Sequence, residues 1–60
     1  MSGYNVTNSI DLIDKYCENP SHYKSWQLRE AIKDAETHYK YGNASRAWYE
    51  SVVRILSQYT

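Results

Sequence analysis

Cysteine is almost missing from these 60 residues, and the single thiol, Cys17, excludes an internal disulfide. One free cysteine suits a reducing compartment, so a cytoplasmic protein is expected. Metal-ligand spacing is missing as well. The candidate ligands are Cys17, His22 and His38 with scattered carboxylates, and no CxxC, HxxxH or HExxH pattern joins them. No metal and no cofactor are expected. Long apolar runs are absent, so no membrane span is expected, and Met1 to Asn5 lack the basic and apolar regions of a signal peptide. Glycine stands at position 3 rather than 2, and Ser57 to Thr60 carry no prenylation cysteine, which removes the common lipid anchors. Without a secretory route, the glycosylation patterns at Asn5-Val6-Thr7 and Asn43-Ala44-Ser45 carry no meaning. An excess of one charge is lacking too. Seven basic and seven acidic residues cancel and are interspersed, which leaves no long-range field for nucleic acid or an anionic membrane.

A chain this short buries only about 60% of the surface that its unfolded form exposes, so the core must be lean. Small domains offset this with disulfides, a metal, good helix packing or a partner chain. The first two are excluded above. Packing or self-association remains.

Two glycines and one proline punctuate the chain into segments whose apolar spacing is helical, so the expected fold is all-α. Val6, Ile10, Ile13, Tyr16 and Cys17 recur at three- and four-residue steps, while Thr7, Asn8 and Ser9 offer capping oxygens. The spacing predicts a short helix over about 8–18, stopped by Pro20. Asn19 or Ser21 can cap a second helix over about 21–41, whose buried face carries Leu28, Ala31, Ile32, Ala35 and Tyr39. Gly42 is expected to end it in a left-handed conformation, with Asn43 capping a third helix over about 44–59. There Trp48, Val52, Ile55, Leu56 and Tyr59 share one face. A short connection makes the second and third helices antiparallel, and the first helix lies across them. The expectation is one domain over 1–60, a three-helix minidomain with a flexible tail at about 1–6.

The second helix carries a further line of rings. Tyr23, Trp26 and Tyr41 fall opposite the Leu28 to Tyr39 stripe, with Glu30 and Thr37 between them. One face of a helix can meet the core of so small a unit, so these rings are expected at a surface that binds another chain. Tyr23, Trp26, Glu30 and Tyr41 are therefore the candidate partner-binding residues. The competing arrangement has the first helix wrap round to cover Trp26.

The stretch Tyr39-Lys40-Tyr41-Gly42-Asn43 followed by Ala47 resembles the turn between the two helices of a tetratricopeptide repeat. The resemblance covers only these residues; such repeats stack about three copies, and here Ser51 stands where a ring would follow. It implies a helical hairpin and keeps peptide binding open as a mode.

Catalysis needs a nucleophile beside a base, and nothing in the spacing brings Cys17 to His22 or His38. The two histidines point to nearly opposite sides of the second helix, and Cys17 sits on the apolar stripe of the first. Asp34 and His38, one helical turn apart, are spaced to form a metal or acid/base pair in principle, but the same spacing is common on solvated faces. The chain is expected not to be an enzyme. A DNA-binding reading would use the third helix as reader, but Glu50 stands between Arg46 and Arg54 and offsets both. The primary expectation is a protein-interaction module that pairs with a protein partner, with homodimerisation as its simplest form. A chain that starts at its own methionine and is this small suits a regulator or inhibitor of the kind phages and mobile elements encode. A small DNA-binding regulator is the alternative.

Overall fold

The computed structural model describes residues 5–60, and part of the expected tail, residues 1–4, lies outside them. Three α-helices follow one another: α1 at Ile10–Glu18, α2 at Ser25–Tyr41 and α3 at Arg46–Ser57, with a 3-10 turn at Pro20–His22 between the first two. The fold is the all-α three-helix minidomain expected, with no strand among the described residues.

α1 begins where Ser9, in extended conformation, accepts a hydrogen bond from the Leu12 N–H at 3.2 Å. It ends at Asn19, whose φ of −139° is set by the proline that follows. The chain does not re-enter an α-helix at residue 21 as expected. Pro20 starts a single 3-10 turn, with His22 N–H donating to Asn19 O at 3.0 Å, and Tyr23 then extends. The extension lets the Tyr23 ring meet Tyr16 edge-on, 4.4 Å between centroids, and that contact favours breaking the helix there. α2 therefore starts four residues late. Its cap, Lys24, has no side-chain acceptor, and the Gln27 side chain instead accepts from the Lys24 N–H at 2.9 Å.

Gly42 ends α2, but not through a left-handed conformation: its φ is −109° and its ψ −148°. A Cβ there would lie 2.8 Å from the His38 carbonyl oxygen, so the glycine is required by close backbone approach. That carbonyl accepts from both Gly42 and Ala44 N–H, at 3.0 and 3.3 Å. Ser45, rather than Asn43, caps α3 by accepting from Trp48 N–H at 3.1 Å.

Ile13 and Tyr16 from α1, Leu28, Ala31 and Ala35 from α2, and Val52 and Leu56 from α3 form one buried core. The two alanines let the backbones come close, and Cys17, Ile32, Trp48 and Ile55 pack round the rim. Tyr59, placed on the core face by its spacing, lies beyond the end of α3 and is exposed. At the hairpin end Tyr39 stacks on Tyr49 with ring planes 3° apart and centroids 5.1 Å apart.

Candidate interaction surface

Asp34 is the one charged residue taken into the interior among the described residues, at 5% exposure, and it faces the segment that leads into α1. Its Oδ2 accepts from the Thr7 hydroxyl at 2.9 Å and from the Asn8 N–H at 2.8 Å. One turn later, His38 Nε2 lies 3.0 Å from the Asn8 carbonyl oxygen. A carbonyl can only accept, so Nε2 carries the proton. Asp34 and His38 thus hold both backbone groups of Asn8 from consecutive turns of α2. The Asn8 side chain takes a longer contact, 3.4 Å, from the Tyr16 hydroxyl. Burial above all, then proximity to Tyr23 and Asp34, raises the Tyr16 pKa above its ordinary value of 10.0, which keeps that hydroxyl a neutral donor.

This clamp fixes one wall of a half-open cleft of about 320 Å³, lined by Thr7, Asn8, Tyr16, Trp26, Gln27 and Glu30. The opposite wall is the start of α2. Trp26 and Glu30 are four residues apart, which at about 100° per residue leaves them on one face a turn apart. Trp26 keeps 57% of its surface exposed, so α1 reaches the cleft without covering the ring. Glu30 is half-buried, and its one ion partner among the described residues, Lys33, stands 3.9 Å away on the solvent side.

The four candidate residues therefore part company. Trp26 and Glu30 share the cleft. Tyr23 sits before α2, half-buried against Tyr16 on the core side. Tyr41 is 64% exposed at the last position of α2, about 22 Å along the helix from Trp26 at 1.5 Å per residue. There is no continuous line of rings. Thr7, Asn8, Tyr16 and Gln27 complete the cleft, and sequence periodicity did not single them out as site residues because three of them come from outside α2. The available signal was Asp34, an acidic residue between the buried positions Ala31 and Ala35, which needed donors from elsewhere in the chain.

Elsewhere, Trp48 turns its indole N–H to Asp14 at 2.8 Å and ties α3 to α1. Arg46 pairs with Glu50 at 2.8 Å along α3. Cys17 is half-buried, and burial, then the Asp14 carboxylate, raises its pKa above 9.0, so its nucleophilic thiolate is scarce at neutral pH. Among the described residues no group of three or more His, Cys, Asp or Glu side chains is placed to hold a metal ion. No helix among them is long and apolar enough to cross a membrane. Comparison with known protein families, curated proteins and solved structures finds no match for this chain.

Proposed function

We propose that this chain is a non-enzymatic interaction module that binds a protein partner, another copy of itself included, through the surface around Trp26, in the manner of a small cytoplasmic regulator or inhibitor. The observation that carries the reading is Trp26 itself, a large ring left mostly in solvent beside a formed cleft in a domain short of core. Indole surface of this kind is what dominates binding energy at protein contacts. The polar groups with catalytic potential are committed elsewhere: Asp34 and His38 hold Asn8, and the Cys17 thiol is kept protonated. The Arg46–Glu50 pair leaves the outer face of α3 without a basic stripe, which favours a protein partner over nucleic acid.

Sedimentation equilibrium of the wild type and of Trp26→Ala over a wide concentration range tests the self-pairing form. The wild type should gain mass with concentration, while Trp26→Ala stays at monomer mass with an unchanged far-UV circular dichroism spectrum. Superimposable mass curves for the two proteins would contradict it.

A further inference from the structure

We propose that the cleft beside Trp26 receives one arginine side chain of a partner polypeptide, its guanidinium stacked on the indole and paired with the Glu30 carboxylate. The inference rests on the interaction reading above and names the chemistry of what is bound. Charge is the first argument. Of the six described residues that line the cleft, Glu30 is the one that is charged, and no lysine or arginine is among them. Behind the Thr7 and Asn8 wall lies a second carboxylate, Asp34, so the cleft is bordered by negative charge from two turns of α2. An anion would be repelled there, and a cation drawn in.

The state of each polar group is the second argument. Asp34 Oδ2 is already taken by two donors. Among the described residues the Glu30 carboxylate has only the exposed Lys33 contact at 3.9 Å, and a carboxylate has about four acceptor positions, so it retains capacity for a fork of N–H donors. Thr7 spends its proton on Asp34, which leaves its oxygen lone pairs for an incoming N–H. Shape is the third. A volume of about 320 Å³ lies at the low end of ligand pockets, roughly 300–1,000 Å³, and suits a single side chain. Arginine fits better than lysine, because a planar guanidinium both stacks on an indole and meets a carboxylate with two parallel hydrogen bonds.

The test is an NMR titration of the full-length isotope-labelled chain with N-acetyl-glycyl-arginyl-glycinamide, and in parallel with the citrulline peptide, which is neutral and nearly the same shape. The Trp26 indole N–H should shift and saturate with a dissociation constant on the order of millimolar, as suits one side chain. Citrulline, and the arginine peptide on Glu30→Gln, should each bind about tenfold more weakly, the value of one charge-assisted contact. Equal response to the citrulline peptide, undiminished affinity in Glu30→Gln, or no shift of Trp26 overturns the proposal. Should Glu30→Gln fail to fold, the two peptides on the wild type decide alone. Loss of self-association in Trp26→Ala without arginine binding would sink the arginine assignment and leave the interaction reading standing. Arginine binding with no Trp26-dependent association would do the reverse for self-pairing.

Discussion

At the scale of single residues, Asp34 has the largest consequence for the site, because one buried carboxylate positions a whole wall of the cleft. Asp34→Ala removes two hydrogen bonds to a charged acceptor and should cost about 3 kcal/mol in urea denaturation. Thr7→Ala removes one of them and should cost about half as much. Both should loosen residues 7 and 8, read as faster amide exchange at Asn8, whose N–H donates to Asp34. Tyr16 makes a prediction about pH. Its folded pKa is raised above the ordinary 10.0, so its contribution is complete below that pH and is lost as pH rises through the folded value. Cys17 acts in the same sense from its ordinary 9.0 upward. The melting temperature should hold to about pH 9 and fall beyond it, less steeply in Tyr16→Phe. An identical alkaline fall in that variant would remove Tyr16 from the explanation.

At the scale of elements, caps and breaks decide where each helix starts. Ser9→Ala and Ser45→Ala each remove an acceptor from a first-turn N–H and should cost about 1 kcal/mol apiece in thermal melts. Gly42→Ala forces a methyl against the His38 carbonyl and should cost about 1–3 kcal/mol. No loss there would mean that the turn relaxes freely. Three helices and their core stripes were legible because Ile13, Leu28, Ala35, Val52 and Leu56 repeat at helical spacing. The break at Tyr23 was not legible. Nothing local forbids a helix through residues 21–24; the Tyr16 ring, seven positions back in another element, makes extension favourable. The cleft was half legible for the same reason. Trp26 and Glu30 show themselves by spacing, whereas Thr7, Asn8 and Tyr16 arrive through the long-range bonds to Asp34 and the fold of α1 onto α2.

At the scale of the whole molecule, seven apolar residues are buried among the described residues, and a core this small supplies at most about 3–5 kcal/mol of net stability. Leu56→Ala, at a fully buried site, should cost about 2–5 kcal/mol and unfold much of the population at room temperature. Against so thin a margin, a tryptophan held mostly in solvent supports the proposal that its ring serves contact with another chain. The direct measurement is the urea unfolding free energy of Trp26→Ala, taken at high dilution so that the chain is monomeric, beside the wild type. A ring used for contact predicts a loss of about 1 kcal/mol or less, near the range of surface substitutions. A loss of about 2 kcal/mol or more, the range of core truncations, would place Trp26 in the core and contradict the account.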